Sequence, residues 1–122
     1  MPLTVERWHQ ELAMMASNFP QFQPFAEPPW FGFQGYLCGP KTGRHYEVVI
    51  EGDERKYPQM KPAIYMNPRI GHHHWVTPEF YRWSGRPQWP QLCLDALDWK
   101  PARSSFANML TRVIGFVEKW DV

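Results

Sequence analysis

The sequence predicts an α+β fold with an N-terminal helix, an antiparallel β-meander, an irregular loop and a closing helix. Three observations carry this expectation. An amphipathic stretch opens the chain, three β-rich stretches follow with turn residues between them, and a second amphipathic stretch lies near the other end. The 122 residues are expected to form one domain over residues 1–122. A chain of this length buries roughly two-thirds of its unfolded surface, enough for a core.

Thr4 is placed to cap a helix running to about Ser17, with Val5, Trp8, Leu12 and Met15 on one face. Phe19-Pro20 ends it, because a residue before proline avoids the helical region. The next ten residues, through Pro28-Pro29, are rich in Pro and Phe and read as an extended connector. Strands are expected over Trp30 to Cys38, His45 to Ile50 and Ala63 to Asn67. Gly39-Pro40-Lys41-Thr42-Gly43 is the turn between the first two. Residues 68 to 91 show no strong period and read as a long loop, a length that marks either a functional segment or a wrongly assigned one. A second helix is expected from Ser104 or Ser105 to about Lys119, with Phe106, Met109, Leu110, Val113 and Val117 facing the core.

Composition narrows the function classes. Net charge is +1 and no long basic run occurs, which argues against nucleic acid and anionic membrane as partners. Two cysteines, Cys38 and Cys93, are too few for a disulfide framework or an all-cysteine zinc site. The segment Met1-Pro2-Leu3-Thr4-Val5-Glu6-Arg7 lacks the apolar run of a signal peptide, and no stretch approaches the ~18 apolar residues of a membrane span. A cytoplasmic protein with reduced thiols is the expectation. Thirteen Pro and seven Trp foretell stiff turns carrying flat side chains.

Cys93 lies in Leu92-Cys93-Leu94-Asp95, followed by Trp99-Lys100-Pro101-Ala102 and the second helix. By itself, a cysteine between leucines reads as a small buried hydrophobe. Upstream stand Gly39-Pro40-Lys41-Thr42, Tyr57-Pro58-x-x-x-Pro62 and His72-His73-His74. In this order the segments resemble those of ubiquitin-conjugating (E2) enzymes: a Gly-Pro-x-x-Thr turn, a Tyr-Pro-x-x-Pro-Pro segment, a His-Pro-Asn triplet, the thioester cysteine and a Trp-x-Pro-Ala segment. The resemblance spans roughly residues 5 to 120. The chain departs from the eukaryotic pattern in three ways. His74 stands where the Asn is expected, the approach to the cysteine is longer, and the chain is truncated after the helix that follows it. With its short length, many Trp and His-rich triplet, it resembles the prokaryotic E2-like branch found in antiphage conjugation systems.

The resemblance implies a thioester transferase that carries a protein or ubiquitin-like C-terminus on Cys93 and passes it to an acceptor amine. A thiolate suits this step as both nucleophile and leaving group. His74 is the candidate for the missing Asn, because an imidazole N–H donates a hydrogen bond and the ring also accepts a proton. In an extended chain His72 and His74 share a face and His73 points away. His72 completes the candidate catalytic set with Cys93 and His74, and its simpler reading is a buried, hydrogen-bonded support. Two same-face His with Cys93 or Glu79 suffice in number for zinc, but nothing fixes the spacing, and neither metal nor cofactor is expected.

Asp95 and Asp98 are candidates for orienting an acceptor lysine, or simple turn residues. Trp75, Phe80, Tyr81, Trp83 and Trp89 read as a flap over the sheet or a docking surface. Glu6, Arg7, His9 and Glu11 give the first helix mixed charge, unlike the basic helix that meets the activating (E1) enzyme in eukaryotic members. Implied partners are a ubiquitin-like modifier or target C-terminus, and an E1-like enzyme or a cyclic-oligonucleotide synthase. The competing reading is a catalytically weak or inactive E2-fold module that binds such a partner noncovalently.

Overall fold

The computed structural model describes residues 3–67, 91–92 and 99–122. Two helices lie on one face of a five-stranded antiparallel sheet: α1 (Val5–Asn18), β1 (Gln23–Glu27), β2 (Trp30–Cys38), β3 (His45–Asp53), β4 (Ala63–Asn67), β5 (Gln91–Leu92) and α2 (Phe106–Trp120). The strands follow one another in the sheet in chain order, so the β-structure is a simple meander. The α+β class and the order helix, meander, helix agree with the sequence-based expectation.

Helix α1 begins where its cap residue dictates: the Thr4 hydroxyl accepts from Arg7 N–H at 3.1 Å. It ends as the Phe19 N–H reaches Met15 O, one residue before Pro20. Its packed face differs from the expected stripe. Val5 is 70% exposed, and the face is set by Trp8, Glu11, Leu12 and Met15, at i, i+3, i+4 and i+7. A carboxylate, Glu11, therefore occupies a core position.

The stretch read as a connector holds a strand. β1 pairs with β2 from Gln23↔Gln34 to Glu27↔Trp30, with Pro28-Pro29 forming the turn. Proline survives in β1 because an edge strand leaves part of its hydrogen-bonding potential to solvent. β3 also runs three residues beyond its expected end at Ile50, and Gln91–Leu92 adds a fifth strand opposite Ile64 and Tyr65.

Alternation sorts the sheet into two faces. Phe31, Phe33, Leu37, Tyr46, Val48, Ile50, Ile64, Met66 and Leu92 point toward the helices and join the core. From α2, the expected stripe of Phe106, Met109, Leu110, Val113 and Val117 is buried against them. The Ser105 hydroxyl caps this helix by accepting from Asn108 N–H at 3.1 Å. Phe106 is the aromatic centre, with ring centroids 5.4 Å from Phe31, 5.3 Å from Phe33 and 5.2 Å from Tyr57.

The Gly39-Pro40-Lys41-Thr42 turn is locked from the far end of α2. Asp121, fully buried, accepts from Lys41 N–H at 2.9 Å, Thr42 N–H at 3.0 Å, the Thr42 hydroxyl at 2.5 Å and the Tyr46 hydroxyl at 2.8 Å. A β-carbon on Gly39 would collide with this carboxylate, which explains glycine there. Burial by itself would raise the Asp121 pKa, but the hydrogen bonds from Thr42, Lys41 and Tyr46 outweigh it and hold the carboxyl well below the usual range. Its stabilising effect is therefore complete above the unfolded carboxylate value of about 3.9 and is lost as pH falls through the depressed folded value. Asp121→Asn is expected to lower the melting temperature at pH 7, with the gap to wild type constant down to about pH 5 and shrinking below about pH 4. Thermal melts of both proteins across this range check it.

Candidate functional site

Cys93, His72 and His74, with His73, Glu79, Asp95, Asp98 and the aromatic residues Trp75, Phe80, Tyr81, Trp83 and Trp89, lie outside the described residues. What the structure describes is the frame on either side of residues 93–98.

On the upstream side, Leu92 is 3% exposed and sits in the core, paired with Ile64 on β4. The chain thus enters the Cys93 segment from a fixed strand end. On the downstream side, the indole Nε1 of Trp99 donates to Pro58 O at 2.6 Å. Arg7 donates to Pro101 O at 2.9 Å and to Ser104 O at 2.5 Å. Ser104 in turn accepts from Lys100 N–H at 2.9 Å through its hydroxyl. Both ends of residues 93–98 are therefore held by the body of the fold.

Tyr57-Pro58 is where these ties converge. The β3–β4 connection tightens around Asp53, whose backbone oxygen accepts from Lys56 and Tyr57 N–H, and whose carboxylate accepts from Arg55 N–H at 2.9 Å. This folds Tyr57 back under the sheet, fully buried, with its ring 5.3 Å from Phe31. Its hydroxyl donates a short hydrogen bond to Glu11. Burial, then the Glu11 carboxylate, push the Tyr57 hydroxyl well above its ordinary pKa, so it remains a donor.

Glu11 is the hub. It accepts from Arg7 Nε at 2.9 Å, from the Tyr57 hydroxyl and from Phe106 N–H at 3.0 Å. One carboxylate thus joins α1, the Tyr57-Pro58 segment and the first residue of α2. Of the four residues that give this helix its mixed charge, Glu11 has no exposure and Arg7 turns toward it, leaving Glu6 and His9 exposed. The signal available in the sequence was position 11, which falls between Trp8 and Met15 on the packed face.

Cys38, the described cysteine, is an exposed free thiol at the end of β2. Among the described residues no group of three or more His, Cys, Asp or Glu is placed to hold a metal ion, and no helix is long and apolar enough to cross a membrane. No protein-family model, no curated protein and no solved structure matches the chain.

Proposed function

We propose that the protein is an E2-like thioester transferase with the ubiquitin-conjugating fold, acting in a bacterial antiphage conjugation system of the kind associated with cyclic-oligonucleotide signalling. The observation that supports this reading best is the tie between two segments of the resemblance. Tyr57-Pro58 and Trp99-Lys100-Pro101, which flank the cysteine in the sequence pattern, are joined by the Trp99–Pro58 hydrogen bond and through Arg7. This arrangement brackets the cysteine segment between the buried Leu92 and the half-buried Trp99, a fixed frame of the kind a reacting residue needs.

In the proposed reaction the Cys93 thiolate receives the acyl group of a protein C-terminus from an upstream thioester, and the upstream thiolate departs. An acceptor amine then attacks the carbonyl carbon. A C–N bond forms, the C–S bond breaks and the Cys93 thiolate leaves, while the amine proton passes to a base, the role proposed for His74. In the alternative role for His74, with His72 in support, its N–H is a donor aimed at the developing oxyanion, which contributes about 3 kcal/mol when preorganised.

The direct test is mass spectrometry, without reductant, of the protein co-expressed with its neighbouring genes. An adduct on Cys93 that thiols release is the expected result. Complete absence of such an adduct in the presence of an activating enzyme and modifier, or its appearance on Cys38 alone, overturns the proposal.

A further inference from the structure

The face of the sheet away from the helices carries a cleft of about 450 Å³, within the ~300–1,000 Å³ range of binding pockets. It lies at the end of the sheet where β2 begins and β3 gives way to the connection toward β4. There Trp30 stands opposite Asp53, and Glu51 stands opposite Ala63. Trp30, Glu51 and Ala63 alternate with the core residues Phe31, Ile50 and Ile64, so they share the outer face.

Different segments build its apolar wall and its charged rim. Trp30 is half-buried, and among the described residues its indole has neither a hydrogen-bond partner nor a ring contact. Met60, on the β3–β4 connection, is 42% exposed. Tryptophan and methionine are residue types that protein interfaces favour at their centres. The turn around Asp53 carries Arg55 and Lys56 to the rim, and Lys61 stands two residues before β4; all three are exposed. The carboxylates beside them are already engaged. Asp53 accepts from Arg55 at 3.0 and 2.8 Å, and Glu51 is 4% exposed with an interaction of its own. Lys56 and Lys61 form no ion pair among the described residues. The open charge of the rim is therefore positive.

We propose that this cleft docks an acidic segment of a partner protein that carries one large apolar anchor. The anchor packs between Trp30 and Met60, and carboxylates on either side of it face Lys56 and Lys61. Charge complementarity selects this occupant. A basic segment would meet like charge at the rim, and a small inorganic anion would leave the apolar wall uncovered. The site stands on these residues alone and does not depend on the reaction proposed for Cys93.

The test is an NMR titration of the full chain, reading the Trp30 indole N–H and the Met60 methyl group. The probe is the peptide acetyl-Asp-Glu-Phe-Asp-Glu-amide. The expected result is saturable shifts of both reporters with a dissociation constant on the order of 0.5 mM. Two analogues separate the two contributions. Replacing every carboxylate with its amide, and replacing Phe with Gly, are each expected to weaken binding about tenfold or more. Raising the salt from about 20 to about 300 mM is expected to weaken binding severalfold.

The double variant Lys56→Glu, Lys61→Glu is expected to weaken binding at least about tenfold while the rest of the spectrum stays native, because both side chains are exposed. Met60→Ser, also at an exposed position, is expected to weaken it without changing its salt dependence. No saturable shift up to about 5 mM peptide, undiminished binding of either analogue, or native-strength binding by the double variant overturns the proposal. So does inorganic tripolyphosphate shifting both reporters as strongly as the peptide, which would make the cleft a site for anions alone. Shifts of these reporters with protein concentration in the absence of peptide would give the cleft to a second copy of the chain and overturn it too. No thioester takes part in the measurement, so its outcome is separate from that of the Cys93 adduct.

Discussion

Cys93→Ala is expected to reduce acyl transfer at least about 1,000-fold, and Cys93→Ser to stop the reaction at a stable ester. The two variants separate the two things sulfur does. Alanine removes the nucleophile, so no acyl group is taken from the upstream thioester. Serine keeps an oxygen in its place, and an oxyester once formed is a poor acyl donor because an alkoxide is a far worse leaving group than a thiolate. The readout is gel mobility with and without thiol: a band released by reductant in the wild type, a band resistant to it in Cys93→Ser, and no band in Cys93→Ala. Cys38→Ser is the internal control, since this thiol is exposed at a strand end away from the Tyr57-Pro58 frame. Full conjugation by the alanine variant would reassign the chemistry, and the noncovalent binding module would become the better description.

The parts of the fold that could be read from the sequence are those decided by local chemistry. Thr4 and Ser105 each offer a side-chain oxygen to an N–H three residues on, so both helix starts were legible. The stripe on α2 was legible because every inward position is apolar. β1 was hidden for the opposite reason. Pro20, Pro24, Pro28 and Pro29 crowd the segment, its residues are mostly exposed, and its strand exists through pairing with β2 rather than through any alternation of its own. β5 is two residues long, too short for a period to show.

The candidate site divides along the same line. Cys93 is a candidate through its company of motifs alone, whereas the groups that hold the described frame on either side of residues 93–98 carry no such signal. Tyr57 and Phe106 reach Glu11 from 46 and 95 residues away in the chain. No local pattern reports contacts of that separation, and a Glu among Arg and His on a first helix reads as solvated. The continuation of β3 past Ile50 was hidden too, because it is set by a cross-strand register that sequence periodicity leaves open.

Glu11→Ala is expected to destabilise the protein strongly, by about 3–5 kcal/mol, equivalent to a fall in melting temperature of roughly 12–20 °C. The size follows from what the carboxylate leaves behind. Its loss strands the Tyr57 hydroxyl and the Phe106 N–H in the core and leaves the half-buried Arg7 guanidinium without its ionic partner. Glu11→Gln keeps the side chain's shape and one acceptor oxygen, so a smaller loss of about 1.5–3 kcal/mol is expected from the weakened hydrogen bonds. Glu11→Met separates the charge from the packing: it fills the space but satisfies none of the three donors, and its cost should lie near that of alanine.

Paired melts of Arg7→Ala, Glu11→Ala and the double variant complete the argument. Because Arg7 and Glu11 act on the same cluster, the double variant should lose clearly less than the sum of the two single losses. Strict additivity would mean that Glu11 is held by its other partners alone. The functional consequence is separate from the stability loss. Arg7 also ties Pro101 and Ser104, downstream of Cys93, to α1, so under the proposed reaction a folded Arg7→Ala protein should still be loaded at Cys93 yet transfer more slowly, the signature of a positioning residue. Single-turnover discharge of a preloaded thioester reads this directly, and an unchanged discharge rate would confine Arg7 to stability.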